Sequence, residues 1–139
     1  MGRLVREVGG IKTELGGLSG SMGYALENEA YRALPEFLKN YGIELEERFV
    51  RREVRGEEIN LLARGKRDGR DIIVVGESGL KLTSAGKKIG QLERKAAAVA
   101  EEYPGHELFK ILVTHYTSPR VVKKAGEKGI VVVQSFEWL

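Results

Sequence analysis

The sequence predicts an α/β domain whose elements run α-βββ-α-β-α-β behind a helical N-terminal arm. Three observations carry that order. The apolar period changes from helical to two after Tyr41. The pair Asp68-Gly69 separates two strand-like stretches, as a tight hairpin turn does. A long apolar stripe from Ala85 to Tyr103 then stands between two short runs rich in Val, Ile and Leu.

The elements follow in turn. Leu4, Val8, Ile11, Leu15 and Leu18 step alternately by four and three, a heptad seam. Gly9-Gly10 and Gly16-Gly17 interrupt it, each Gly costing a helix about 1 kcal/mol relative to Ala. Residues 1–20 therefore read as an arm, either a helix that pairs with a second copy or an unstructured leader. The pairing reading makes the protein a homodimer. Residues 21–139 form the main domain. Its first helix is expected from Ser21 to Tyr41, with Leu26, Ala30, Leu34, Phe37 and Tyr41 on one face and Gly42 as its stop. Pro35 should kink or restart it. Ile43 to Arg55 alternates as one strand, with Phe49 pointing inward and Gly56 marking the turn that follows. Glu58 to Arg64 is the second strand and Asp71 to Glu77 the third, a meander. Ala85, Ile89, Leu92, Ala96, Val99 and Tyr103 make the second helix, ended by Pro104-Gly105. Leu108 to Thr114 is apolar enough to be buried on both faces. Ser118-Pro119 opens a third helix as cap and first residue, Gly129 closes it, and residues 130–133 form the last strand.

Composition narrows the function. A chain of 139 residues with 42% apolar residues is one core's worth. Without cysteine there is no disulfide and no thiolate metal site, and with only two histidines a metal site must rest on carboxylates. No apolar run approaches the roughly 20 residues of a membrane span, and the N-terminus lacks a signal-peptide core. The expected setting is cytoplasmic, without membrane contact. A natural chain that extends beyond Met1 stays open. High charge with few thermolabile residues points to a thermophilic source. The net charge of +3 and a pI near 9.2 permit nucleic-acid binding. Basic residues gather between Arg48 and Arg70 and again from Lys81 to Lys95. Arg64, Lys66, Arg67, Lys87 and Lys88 are the candidate phosphate contacts, against the alternative of solvated faces balanced by Glu.

One constellation can carry chemistry. Glu58 and Asn60 are two apart on a strand, so regular pleating puts them on one face. Glu77 ends the next strand, with Gly79 and Lys81 following at steps of two. Adjacent strands lie about 4.8 Å apart, close enough for these groups to converge.

These residues resemble the PD-(D/E)XK nuclease superfamily, which includes restriction enzymes and Holliday-junction resolvases. The resemblance covers about Gly23 to the C-terminus. It is nearest to archaeal members of unassigned function, through Gly23-Tyr24-Ala25-Leu26-Glu27-Asn28-Glu29, Glu58-Ile59-Asn60 and Val75-Gly76-Glu77-Ser78. It implies a restriction-endonuclease-like three-layer core with a central mixed sheet of about five strands. It also implies a Mg²⁺ or Mn²⁺ held by carboxylates, activating water beside a DNA phosphodiester. Glu58, Asn60 and Glu77 are then the metal set, and with Lys81 the catalytic set. Glu27, Gln91 and Lys95 are auxiliary: family members place a Glu on the first helix near the metal, and a Gln followed four residues later by Tyr or Lys on the second. Without the resemblance, Glu27 reads as a capping or solvated residue and Gln91 and Lys95 as a polar flank.

Two positions depart from the pattern. The family's Asp falls on Asn60, a neutral ligand, and its Lys falls on Gly79, which has no side chain. Lys81, one pleat further, is the candidate to reach back. The expectation is a metal-dependent endonuclease-like protein with an eroded site, acting on or binding DNA. The alternative is an inactive nuclease-fold module for DNA binding or protein assembly. Other candidates carry less. His115 has no Ser-His-Asp spacing, the glycines at Gly9 and Gly16 match no phosphate loop or dinucleotide fingerprint, and no nucleotide cofactor is expected. Phe136 and Trp138 read as packing anchors.

Overall fold

The structure is a computed structural model. It describes residues 10–79 and 85–139, with side chains for 24–79 and 86–139. Lys81 and the first half of the heptad seam lie outside the described residues.

Helix α1 (Gly10–Phe37) runs without a break across the position where the sequence suggested a start near Ser21. Extending a formed helix costs far less than nucleating a new one. It carries Pro35 inside and tightens into a single 3₁₀ turn, Leu38–Tyr41, before Gly42 takes the left-handed conformation at φ 76°. Strands β1 (Ile43–Leu45) and β2 (Val50–Val54) replace the single strand expected over residues 43–55. The break between them has a local cause. Glu47 folds its carboxylate back to accept from the Arg64 backbone N–H at 2.9 Å and from the Arg64 guanidinium. A side chain thus takes the place of a strand backbone, and Phe49 turns into the core.

Strands β3 (Glu57–Arg67) and β4 (Arg70–Ser78) form the long hairpin. Asp68 and Gly69 both take positive φ, 52° and 77°, the two-residue turn their sequence called for. Arg55 and Gly56 make the same kind of turn between β2 and β3. Helix α2 (Ala85–Glu102), strand β5 (Glu107–Thr114), helix α3 (Pro119–Glu127) and strand β6 (Ile130–Gln134) complete the domain. Ser118 caps α3 by accepting from the Val121 N–H, with Pro119 as the first helical residue.

The sheet is mixed and six-stranded, in the order β1-β3-β4-β5-β6, with β2 on the same edge of β3 as β1. Strands β1, β2 and β4 run antiparallel to β3, while β4, β5 and β6 are parallel. Each parallel step needs a crossover helix, and α2 and α3 both cover one face, as two right-handed crossovers in one direction require. Their residues Leu92, Val99, Val121 and Ala125 pack on Ile73, Val75 and Leu112. The other face holds α1, whose Leu26, Ala30 and Leu34 pack on Leu61, Ala63, Val74 and Ile111. Buried on both sides, β4 carries the continuous apolar run Ile72 to Val75. At Gly76 a Cβ would lie 2.5 Å from the Ile111 side chain, so only glycine fits just before Glu77.

Candidate functional site

The site lies where the β3–β4 ladder ends. Paired residues stop at Leu61 and Gly76, and the strands part beyond them. Two side-chain bonds bridge the opening, and a third braces it from α2. The Asn60 backbone N–H donates to Glu77 Oε2 at 3.0 Å, and the Ser78 backbone N–H donates to Asn60 Oδ1 at 3.0 Å. Lys95, from α2, donates its ammonium to Glu77 Oε1 at 2.8 Å. Glu77 is buried, at 3% exposure, and both carboxylate oxygens are engaged. Lys88, two turns earlier on α2, reaches the Ser78 carbonyl at 3.5 Å.

A bulge decides where the neighbouring residues point. On β2, Val50 pairs with Leu62 and Arg52 with Ile59, so Arg51 faces both Asn60 and Leu61. The extra residue breaks the alternation. Ile59 and Leu62, three apart, enter the same core beneath α2, while Leu61 and Ala63 point to α1. The irregularity lies at Asn60 and Leu61, next to regularly paired Glu58 and Ile59. Glu58 is two-thirds exposed and binds Arg51 at 3.2 Å, and Arg51 holds the buried Glu27 of α1 at 2.9 and 3.2 Å. No hydrogen bond or ion pair joins Glu58 to Glu77 among the described residues.

Asn60 is thus held by β4 and by α1. On the α1 side, Tyr31 donates its hydroxyl to the Asn60 carbonyl at 3.0 Å. Burial and the adjacent Glu27 charge push the Tyr31 phenol above its ordinary value. Burial works against the charged form of Arg51, but the carboxylates of Glu27 and Glu58 outweigh it and hold the guanidinium above its ordinary value.

The expected site residues separate into groups. Asn60, Glu77 and Lys95 come together, with Lys88 at the rim and Lys87 exposed beside it. Gln91 is half-buried one turn before Lys95. Glu27 is neither a cap nor solvated; it and Glu58 meet on Arg51. Gly79 extends the pairing by donating its N–H to the Val113 carbonyl at 2.9 Å. Arg64, Lys66 and Arg67 lie toward the hairpin end of β3, and each is ion-paired, with Glu47, Asp71 and Glu107 respectively. From Asn60 to Arg67 is seven residues, about 23 Å of strand. Arg51 and Tyr31 escaped sequence reasoning, because only the folded layers bring them to Asn60.

A Mg²⁺ centre needs oxygen ligands free to turn to the ion. Here Glu77 is committed to Lys95 and the Asn60 N–H, Asn60 Oδ1 to Ser78, and Glu58 to Arg51. No group of three or more Asp, Glu, His or Cys gathers among the described residues. As arranged, these residues do not fit a divalent ion, because the internal cations Lys95 and Arg51 already neutralise the carboxylates.

The three-layer core has a nuclease-like fold. Three solved structures are similar to it in fold. Over 94% of this chain and 49% of the other, it superposes on a repair endonuclease from Pyrococcus abyssi with a TM-score of 0.51 and 18% identity. The chain thus spans about half of that enzyme's length. An XisH family protein from Nostoc punctiforme gives a TM-score of 0.46 at 16% identity, covering 82% of this chain and 94% of that one. An fdxN element excision controlling factor protein from Anabaena variabilis gives 0.49 at 19% identity, covering 83% and 95%. No family model matches the chain, and no curated protein matches it. The similarity is one of fold. No described helix is long and apolar enough to cross a membrane.

Proposed function

We propose that this protein is a nuclease-fold DNA-binding protein that holds phosphodiesters at an eroded site without cutting them. The observation that carries the reading is the state of Glu77, buried with both oxygens taken by Lys95 and the Asn60 N–H. A group so engaged braces the fork and does not turn to a metal or a water. The positive net charge supports binding, as do the rim cations Lys87 and Lys88 beside Ser78. Arg64, Lys66 and Arg67 contribute less, being paired and distant.

The test is anisotropy with labelled duplex, forked and four-way-junction DNA over a salt series, beside cleavage assays with Mg²⁺ and Mn²⁺. Affinity should fall steeply with salt, and Lys87→Ala with Lys88→Ala should reduce the slope. No cleavage should appear. Salt-independent binding, or none at low salt, ends the DNA reading.

Mg²⁺- or Mn²⁺-dependent cleavage is the second reading, supported by the nuclease-like fold and by Asn60 and Glu77 meeting at the open end of the β3–β4 ladder. Cleavage lost in Glu77→Ala would establish it. The eroded reading instead expects Asn60→Asp with Gly79→Lys to create cleavage that the natural chain lacks. A folded but inert double variant would mean that the fork never positions a phosphate.

A further inference from the structure

We propose that the groove between Tyr116 and Phe136 receives an unpaired nucleobase of single-stranded DNA. This rests on the DNA-binding reading above and gives it a substrate class: DNA with an unwound or single strand.

The groove opens beyond the carboxyl ends of β5 and β6, where α3 begins. It is a cleft of about 480 Å³ lined by Tyr116, Pro119, Val122, Lys123 and Phe136. Tyr116 is 69% exposed and Phe136 56% exposed, so Phe136 is not the packing anchor its sequence position suggested. Trp138 alone packs on the core beneath α1. Exposed aromatic rings are ordinary when scattered. These two are held in fixed relation. The Gln134 side chain accepts from the Thr117 N–H at 2.9 Å, next to Tyr116, and from the Glu137 N–H, next to Phe136. Glu137 returns the bond by accepting from the Gln134 N–H at 2.8 Å. His115 and Ser135 join the same two segments at 2.8 Å. The Gln134 amide thus ties both backbones that carry the rings, with His115 and Ser135 linking their side chains, and a preformed cleft loses less on binding than a mobile one.

The chemistry of the lining selects the occupant. A base stacks on exposed aromatic faces whatever its identity, and a nearby cation receives the phosphate. Lys123 is the charged side chain lining the cleft among the described residues, and Arg120 is exposed on the same turn of α3. The Glu137 carboxylate, the acid nearest by sequence, is committed to Gln134.

Position links the groove to the fork. Strands β4, β5 and β6 are parallel, and Ser78 pairs with Val113 while Thr114 pairs with Gln134. Both sites therefore lie on one edge of the sheet, separated by two strand spacings, about 10 Å. Ligands of open parallel sheets bind outside that carboxyl edge. A single strand crossing it meets Lys88 and Ser78 at one end and the ring pair at the other.

The experiment measures anisotropy of an oligo-dT strand, the same strand with abasic sites, and a blunt duplex, against the full chain and its Tyr116→Ala, Phe136→Ala and Tyr116→Phe variants. Each alanine variant should weaken oligo-dT binding by about tenfold. Duplex and abasic strand should bind all forms alike, and Tyr116→Phe should bind as the natural chain does. Equal binding of oligo-dT by all variants, with duplex binding intact and salt-sensitive, overturns the groove and leaves the DNA-binding reading standing. Absence of binding to every DNA overturns both. Phe136→Ala that changes the particle mass in light scattering but not the affinity for oligo-dT shows a surface for a second copy, and overturns the proposal.

Discussion

The two ends of the β3–β4 hairpin are built from the same two strands and obey different physics. At the turn end, Arg67-Asp68-Gly69-Arg70 closes a regular ladder, and the ion pairs Lys66 with Asp71 and Arg64 with Glu47 are partly exposed to water. At the fork end the ladder stops, backbone groups are satisfied by side chains, and charge is buried in the pair Glu77–Lys95. Solvated pairs contribute little, because water screens them. A buried pair contributes little net stability either, but it cannot be half removed. The fork is therefore the place where a single substitution is felt.

The contrast breaks first at Lys95. Lys95→Met strands a buried carboxylate and should cost about 3–5 kcal/mol in urea unfolding. Adding Glu77→Gln should restore most of that loss, since a neutral amide still accepts from the Asn60 N–H. Lys66→Ala, at the turn end, should leave the midpoint unmoved. Equal effects at the two ends would mean that Glu77 is hydrated, and the reading of the fork as a brace would fail.

Glycine gives a smaller contrast. Gly76→Ala drives a methyl into Ile111 and should cost about 1–3 kcal/mol, with disturbance reaching Glu77. Gly69→Ala meets open space and should cost only about 1 kcal/mol, for the positive φ of the turn. Thermal unfolding of the two variants ranks them. The reverse order would place the tighter packing at the turn.

The smallest effect is in the pH profile, where the two regions should have opposite signs. Tyr31 at the fork keeps its proton more tightly when folded. Its contribution is whole below the unfolded value of about 10 and is lost as pH rises through the folded one. Glu47, which Arg64 holds below the usual carboxylate range, works the other way. Its contribution is present above about 4.3 and is lost as pH falls through its depressed folded value. Tyr31→Phe should flatten the alkaline limb alone and Glu47→Gln the acid limb alone, read from unfolding midpoints across pH. A Tyr31→Phe profile with an unchanged alkaline limb would separate that phenol from the fork.

Much of this was legible along the chain because it depends on local chemistry. The hairpin turn at Asp68-Gly69, the Ser118-Pro119 cap and the stripe of α2 each follow from residues close in sequence. The burial expected along Leu108 to Thr114 holds only from Ile111 onward, Leu108 to Lys110 being half-buried. The pairing of Asn60 with Glu77 followed from strand order alone. What escaped was set by contacts between distant segments. The split of the first strand needs Arg64 opposite Glu47, and the bulge at Asn60 and Leu61 needs β2 alongside.

The sequence by itself determined the order of the elements apart from the split of the first strand, together with the turns and the α3 cap, because short-range sterics and apolar periodicity decide those. Only the tertiary structure decided which cation answers which carboxylate: Lys95 on Glu77 and Arg51 between Glu27 and Glu58. Ion pairing acts between whatever the packed layers bring within a few ångströms, and that proximity is a property of the fold.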